Sequence, residues 1–166
     1  IEGKLTESEL ASVLKKCRNE ASPGSTGFGY SFYKFFWADL KLFITNAANF
    51  SFESGQLPIS QRYGIISVIP KGKKNKELLS NWRPVTLLNS IYKIISGAIA
   101  KRINSVLPKI INSDQAGFVS NRFLGDCLRT TYDVIEWAKN NKKTGLLLLI
   151  YFTKDFYSIL FSFIKK

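Results

Sequence analysis

The chain has 166 residues, of which 45% are hydrophobic and 14% aromatic, which provides enough apolar material for one globular domain and excludes the disordered classes. Its 24 lysines and arginines outnumber 12 acidic residues, so the formal net charge is +12 at pH 7. The sequence contains no histidine, which excludes catalytic triads, metal sites and acid–base steps that depend on imidazole.

The excess positive charge favours a nucleic-acid partner. Two alternatives stay open on charge alone: a basic protein without a polyanionic partner, or one that binds an anionic membrane surface, where each basic residue contributes about 1 kcal/mol. Cys17 and Cys127 are too few for a disulfide framework and form no Cys-x-x-Cys pair. Both are therefore expected to be reduced core thiols of an intracellular protein.

The N-terminal sequence "IEGKLTESEL" lacks the features of a signal peptide, and no apolar run approaches the about 18 residues that a membrane span requires. We therefore expect no membrane crossing, and we expect the protein in the nucleus or cytoplasm. The chain does not begin with Met and stops on "FIKK" just after an apolar stretch. Both ends are expected to continue in a longer protein.

Two helices are predicted in the first third of the chain. "LTESELASVLKKCRNE" opens with a capping box, Thr6 followed by Glu9, and has apolar residues at helical spacing. After the loop "ASPGSTGFG", a long helix is predicted up to Gly55, with an inward face of Phe36, Leu40, Phe43, Ile44 and Ala47. The aromatic block at its start resembles a base-stacking platform, but core packing is favoured for Tyr30, Phe32, Tyr33, Phe35, Phe36 and Trp37.

The middle of the chain contains a predicted strand and an extended segment. "GIISVIPK", residues 64–71, is a β-branched run stopped by Pro70. The lysine-rich loop "KGKKNKELLSN" follows it. "NWRPVTLLN" is expected to be extended, because a residue that precedes proline is disfavoured in the helical region. Trp82 in this segment is interpreted as an anchor for the loop.

The last half is predicted to contain two helices and a second strand. A helix from about Ser90 to Leu107 is expected to turn Lys101 and Arg102 outward and to turn inward Ile91, Ile94, Ile95, Ala98, Ile99 and Ile103. In the following loop, Gly117 and Phe118 are interpreted as a turn with its apolar plug. A last helix is predicted over 127–143 and a strand over 146–152, so the fold class is α/β or α+β.

Five blocks in series resemble the reverse transcriptase domain of non-LTR (LINE-type) retrotransposons. They are "SPGSTGFGYSFYKFF", "ISQRYGIISVIPKGKKN", "NWRPVTLLNSIYKIISGAIAKRI", "DQAGFVSNR" and "GLLLLIYFTKDFYSI". Each block alone is a weak signal, whereas five in this order cover almost the whole chain and are specific.

The resemblance implies a helix-rich α+β chain that is part of a right-hand polymerase fold. Residues 1–55 correspond to an N-terminal helical extension, 56–143 to the fingers and 144–166 to the incomplete start of the palm. The later palm with its second acidic motif and the thumb are missing from this sequence. The chain is therefore expected to be a fragment of an RNA-directed DNA polymerase.

The chemistry of this family depends on paired carboxylates that hold two Mg²⁺ ions. Family members usually close with Asp-Phe-x-Lys-Ala-Phe-Asp-Ser, and here the same frame begins with Tyr151 and has Tyr157 at the later Asp position. A neutral phenol is a poor Mg²⁺ ligand, and Asp155 is too far along the chain to substitute; it is interpreted as a charge near a helix N-terminus. Thr26 likewise replaces an Asp of the family's Ser-Pro-Gly-x-Asp-Gly.

These departures predict that no catalytic position is intact. No metal site or cofactor is predicted for this chain, although the family uses Mg²⁺. The leading functional prediction is an inactive reverse transcriptase fragment, and the alternative is a domesticated, non-enzymatic nucleic-acid-binding protein. A third possibility is an unselected remnant that barely folds.

The binding positions of the family are better preserved. Lys71 of "VIPKG" and Arg83 of "WRPV" match fingers residues that, by resemblance, cradle the phosphates of the incoming dNTP. The alternative is a solvated lysine and an arginine paired with a carboxylate. Arg122, after "GF", is expected near template or nucleotide. Further phosphate contacts, or else a solvated loop, are predicted at Lys73, Lys74 and Lys76.

The partners implied by the resemblance are an RNA template with a DNA primer, or an RNA/DNA hybrid. The run "LLLLI" is an aggregation hazard where its strand stays unpaired. A shorter chain that ends near Lys143 is expected to be more monodisperse in gel filtration.

Overall fold

The structure is a computed structural model that describes residues 2–150. It divides into two compact units, Ile1–Ser113 and Asp114–Lys166, and each unit is described by itself. The first unit contains α1 (Glu7–Lys16), α2 (Tyr30–Phe35), α3 (Trp37–Ser54), α4 (Ile59–Arg62), β1 (Gly64–Pro70), β2 (Trp82–Leu88), α5 (Ser90–Asn104) and α6 (Leu107–Ile110). The second contains α7 (Leu124–Asn140).

The predicted capping box at the start of α1 is confirmed. The Glu9 amide donates to Thr6 Oγ1 at 3.3 Å, and the Thr6 amide donates to Glu9 Oε2 at 2.9 Å. These two bonds satisfy amides that a helix start otherwise leaves without partners. The same carboxylate also accepts from Arg102 at the far end of α5, at 2.6 Å to Oε1 and 2.8 Å to Oε2.

Helices α1, α3 and α5 pack together around the core of the first unit. Leu10 and Ile94 are fully buried there. Gly97 lets α5 approach α1 closely, because a Cβ at this position would meet Val13 Cγ1 at 2.8 Å. The other buried apolar residues of this core are Leu5, Leu14, Tyr30, Tyr33, Ile44, Ala48, Ile95 and Ala98.

The predicted long helix of residues 30–54 is two helices, which meet at Phe36. Its predicted inward face is confirmed for Leu40 and Ile44 and wrong for Phe36, Phe43 and Ala47. Phe43 is 71% exposed, and the buried stripe lies one residue further on, at Ile44, Thr45, Ala48 and Ser51. Thr45 and Ser51 tolerate burial because their hydroxyls donate to carbonyls of the same helix, each at 2.7 Å. Small side chains thus face the core, and bulky rings face outward.

Core packing of the aromatic block is confirmed for Tyr30 and Tyr33 and wrong for Phe35 and Phe36, which are exposed. Phe36 lies against two neighbouring rings, with centroids 5.0 Å from Phe32 and 4.8 Å from Phe35. Burial raises the pKa of the Tyr30 phenol to about 12 and also raises that of Tyr33. Neither phenol ionises at neutral pH.

Two predictions for α5 also need correction. Ile94, Ile95 and Ala98 are buried as expected, but Ile99 and Ile103 are exposed. Arg102 does not point into solvent, because it folds back to Glu9 and donates to the backbone carbonyls of residues 3 and 4, at 2.7 and 2.8 Å. The lost solvation of the cation is replaced by a carboxylate and two carbonyls.

The strand predicted at 64–71 is confirmed as β1, and the extended segment after the lysine loop is its partner β2. The two strands form an antiparallel ribbon with Gly64 opposite Leu88 at one end and Pro70 opposite Trp82 at the other. Pro84 lies within β2, a position that proline tolerates on a strand with no further neighbour. Together with the helices, this small sheet is compatible with the α+β class.

In the second unit, α7 begins and ends three residues before the predicted bounds. Residues 143–150 contain no strand, so the prediction of a strand there is wrong for 146–150, while 151 and 152 lie outside the described residues. A strand exists only through pairing, and the apolar run has no strand beside it within residues 114–150. Phe118 is 93% exposed and therefore does not plug a turn.

Both cysteines are free thiols, and Cys17 packs against the core of the first unit. Cys127 is partly buried in the second unit. None of the helices described for residues 2–150 is long and apolar enough to cross a membrane.

Candidate nucleic-acid interface

The β1–β2 hairpin brings Lys71 and Arg83 to the same end of the ribbon. Arg83 is directly opposite Ile69, and the Lys71 amide donates to the Asn81 carbonyl at 2.7 Å just beyond the last ladder pair. The Gly72 amide donates to the Pro70 carbonyl at 3.0 Å, so the chain turns at Lys71 as it leaves β1. The two basic residues are therefore near neighbours at the loop end of the hairpin.

The ammonium of Lys71 is held by a neutral group. Lys71 Nζ donates to the Ser80 carbonyl at 2.6 Å, across the loop that joins the strands. A carbonyl neutralises no charge, and an anion can take its place. Lys71 is partly exposed at the end of β1.

Arg83 is exposed on β2. The ion pairs described for residues 2–150 join Lys4 to Glu53, Lys41 to Glu7 and Arg102 to Glu9. None of them includes Arg83 or a lysine of the hairpin. The alternative in which Arg83 pairs with a carboxylate thus has no partner in this part of the chain.

The loop of residues 71–81 presents its charge outward. It contains four lysines and one glutamate, and Lys73, Lys74 and Lys76 are exposed. The loop backbone is nevertheless fixed, because Trp82 Nε1 donates to the Lys76 carbonyl at 2.8 Å and Asn81 Nδ2 donates to the Asn75 carbonyl at 2.8 Å. This contact confirms Trp82 as the anchor of the loop.

A residue that the sequence did not single out lies at the other end of the hairpin. Asn89 joins β2 to α5 and is buried, with its side chain bonded to Thr26 and Ser60. An Asn at this point predicts a helix cap, which is the one signal that could have drawn attention to it. The side chain makes no cap bond, however, and serves other contacts.

Two curated proteins are similar to this chain. Over 148 residues, 89% of the chain, it is 36% identical to "Transposon TX1 uncharacterized 149 kDa protein" of Xenopus laevis. Over 137 residues, 81% of the chain, it is 28% identical to "Probable RNA-directed DNA polymerase from transposon X-element" of Drosophila melanogaster. The resemblance to the reverse transcriptase-like region of non-LTR retrotransposons is confirmed.

The chain spans 11% of the Xenopus protein and 15% of the Drosophila protein. No protein-family model matches it. The relationship is therefore to a segment within much longer proteins, and it runs through most of the chain.

In this reverse transcriptase-like region, Arg122 belongs to the second unit. Its Nη1 donates to the Gln115 carbonyl at 2.8 Å, across a turn in which Phe118 and Asn121 have positive φ angles of 62° and 63°. Lys71, Arg83 and the loop lysines all belong to the hairpin of the first unit, whereas Arg122 belongs to the second unit.

The positions at which the resemblance expects metal-binding acids fall mostly after residue 150. No group of three or more histidine, cysteine or acidic side chains within residues 2–150 could hold a metal ion. Positions 151, 155 and 157, on which the prediction of inactivity depends, lie outside the described residues. The loss of metal binding through Tyr151 and Tyr157 therefore stays a prediction.

One position where the family has an acid does lie in the described part. Thr26 donates its amide and its hydroxyl toward Asn89 Oδ1, at 3.2 and 3.3 Å. An acceptor such as Asp would face the Asn89 oxygen unfavourably in this arrangement. Thr26 therefore has a structural contact of its own.

Proposed function

We propose that this reverse transcriptase-like region binds the phosphates of nucleic acids and nucleotides through the β1–β2 hairpin and does not polymerise. The observation that carries the proposal is the register of the hairpin, which brings Lys71 and Arg83 close together at its loop end. Beside them lies a fixed loop with three exposed lysines. No carboxylate of residues 2–150 forms an ion pair with these cations.

The two cations have complementary roles. The Arg83 guanidinium has a planar set of donors that can grip two phosphate oxygens at once, whereas the Lys71 ammonium acts as a compact point charge. Together they suit a phosphate chain such as that of a dNTP. The lysines of the loop add attraction that does not depend on base sequence.

The proposed partners are an RNA template with a DNA primer, or the hybrid they form. The Drosophila relative is named as an RNA-directed DNA polymerase, which supports nucleic acid as the general class of partner. The formal charge of +12 provides long-range attraction to any such polyanion. Specific base readout is not part of the proposal.

The proposed absence of polymerisation follows from the side chains that stand where the family has acidic residues. Mg²⁺ requires oxygen ligands in near-ideal octahedral geometry at about 2.0–2.1 Å, and carboxylates supply them in proteins. Tyr151 and Tyr157 supply neutral phenols instead. The residues present do not fit the metal ions that the family uses, so no metal-dependent step is assigned to this chain.

Binding is tested by fluorescence anisotropy with a labelled RNA/DNA hybrid at several salt concentrations. We expect log affinity to fall linearly with log salt, because each phosphate contact releases counterions. The variant Lys73→Ala/Lys74→Ala/Lys76→Ala is expected to bind more weakly and to reduce the size of the slope by about 2 to 3, since each contact contributes about 0.7–0.9.

The matched control removes three lysines elsewhere in the first unit. Lys15, Lys16 and Lys109 are also exposed, so their replacement by alanine changes the net charge equally. The control is expected to keep most of the slope. Equal losses from both triple variants would show that binding depends on net charge and not on the hairpin.

Inactivity is tested by template-primed dNTP incorporation with Mg²⁺ or Mn²⁺, beside an active reverse transcriptase. We expect no extended primer from this chain. Clear product from the purified chain alone would contradict the proposal of inactivity and would leave the proposal of binding to the anisotropy experiment.

A further inference from the structure

The amide of Asn89 joins three segments of the first unit. Asn89 Oδ1 accepts from the Thr26 amide at 3.2 Å and lies 3.3 Å from the hydroxyls of both Thr26 and Ser25. Asn89 Nδ2 donates to the Ser60 carbonyl at 2.6 Å. The residue itself is 4% exposed.

The chemistry of the partners determines how the amide is oriented. The Thr26 amide can only donate, and the Ser60 carbonyl can only accept. A reversed side chain would place donor against donor and acceptor against acceptor. Both ends of the Asn89 amide are therefore used, and neither end is left to cap α5.

Close packing surrounds these bonds. A Cβ on Gly24 would lie 2.5 Å from the backbone nitrogen of Asn89, so only glycine allows the loop of residues 22–28 to approach so closely. Ser90, which is also buried, donates its hydroxyl to the Phe28 carbonyl at 2.8 Å. The loop is thus fixed to the start of α5 at more than one point.

Asn89 lies at the root of the hairpin, which is the end opposite the lysine loop, and it contacts the chain both before β1 and after β2. It directly follows β2, and Ser60, which it holds, belongs to the short helix just before β1. The last ladder pair, Gly64 with Leu88, is adjacent. One side chain therefore ties the incoming and the outgoing end of the hairpin to the helical part of the unit.

The hairpin has little other support. Ile66 is 68% exposed and Val68 is 60% exposed, and Ile65 and Ile69 on the opposite face are exposed as well. Within the described residues of the first unit, the two strands contact mainly each other, and no helix packs extensively on either. Lys71 is about 20 Å along β1 from the root, so a small rotation at the root displaces it considerably.

We propose that Asn89 is a positioning residue, which fixes the direction in which the hairpin presents Lys71 and Arg83. The inference rests on the proposed function, because it concerns the surface that is to bind phosphate. Asn89 itself touches no ligand. It acts through the loop of residues 22–28 on one side and through Ser60 on the other.

The test measures hairpin direction without any nucleic acid. Spin labels are attached at Lys74→Cys, in the hairpin loop, and at Asn46→Cys, an exposed site on α3, after Cys17 and Cys127 are replaced by serine. The distribution of distances between the two labels is measured by double electron–electron resonance spectroscopy. We expect a narrow distribution for the parent chain and a clearly broader one for Asn89→Ala.

Two further variants separate the contacts. Asn89→Asp keeps an acceptor for Thr26 and loses the donor to Ser60, so it is expected to broaden the distribution and to weaken hybrid binding about threefold or more. Ser90→Ala removes a buried hydrogen bond of the same loop but leaves the tie to Ser60. It is expected to lower the melting temperature without broadening the distribution.

An unchanged distribution in Asn89→Asp, with a cooperative melting transition, would overturn the inference even if Asn89→Ala failed to fold. Equal broadening in Ser90→Ala would also overturn it, because general loosening would then explain the effect. If the parent chain shows a narrow distribution but binds no hybrid, the proposed function fails and the positioning role stands.

Discussion

The helical core and the β1–β2 hairpin of the first unit differ in the burial of their apolar side chains and in the pairing of their charged groups. In the core, three helices surround fully buried apolar side chains, and the charged groups nearby are paired, as Arg102 is with Glu9. In the hairpin, apolar side chains are exposed on both faces, and the cations have no ion pair with residues 2–150. The difference teaches that close packing is concentrated in one part of the unit, while the proposed binding surface lies in the part that is packed least.

The largest expected effect comes from a cavity in the core. Ile94→Ala removes three carbons from a fully buried site and is expected to lower the free energy of unfolding by about 2–5 kcal/mol. The matched change Ile66→Ala on the hairpin is expected to cost less than about 1 kcal/mol, because the side chain is mostly exposed. Urea unfolding of both variants measures the two values. Similar losses would remove the distinction between the two parts.

A smaller effect is expected from the carboxylate of Glu9. The hydrogen bonds from Arg102 lower the pKa of Glu9 to about 2, from an ordinary value of 4.5. A lowered pKa in the folded state means that the ionised form stabilises the fold. The contribution is complete above about pH 5 and is lost as the pH falls toward 2.

The measurement is the urea midpoint between pH 2 and pH 6, compared with Glu9→Gln. The variant cannot titrate at this position, so the difference between the two midpoints should shrink as the pH falls. A difference that stays constant over this range would show that the ion pair does not stabilise the core helices.

The smallest effect concerns the end of α3. Gly55 has a φ of 65°, in the left-handed region, and a Cβ there would meet no atom within 4 Å. Gly55→Ala is therefore expected to cost about 1 kcal/mol through backbone strain alone. Thermal unfolding measures this loss, and hybrid binding should stay unchanged. A loss of binding would mean that the helix end also supports the hairpin.

Local signals predicted much of the helical core. The capping box of Thr6 and Glu9 and the burial of Ile94 and Ile95 in α5 depend on residues a few positions apart, so the sequence determines them directly. On α3, helical spacing correctly predicts Ile44 inward, but hydrophobicity wrongly favours Phe43 over the small Ala48. Close packing of helices favours the small residue, and only the tertiary structure shows which face is packed.

Features that depend on distant pairing could not be predicted in the same way. β1 was predicted from its own composition, but its partner was expected only to be extended, and the apolar run at 146–150 is not a strand. The basic positions Lys71 and Arg83 follow from the family resemblance, whereas their proximity at the loop end of the hairpin follows from the register. The role of Asn89 could not be predicted from the sequence, because its partners Ser60 and Thr26 lie 29 and 63 positions away.

The contact between Lys71 and the Ser80 carbonyl has a consequence for how any anion is held. On the proposed function, a phosphate that binds Lys71 has to displace the bond between the ammonium and the Ser80 carbonyl, so the net gain is the difference between the two contacts. The same carbonyl bond re-forms when the phosphate leaves. We therefore expect such a ligand to exchange quickly.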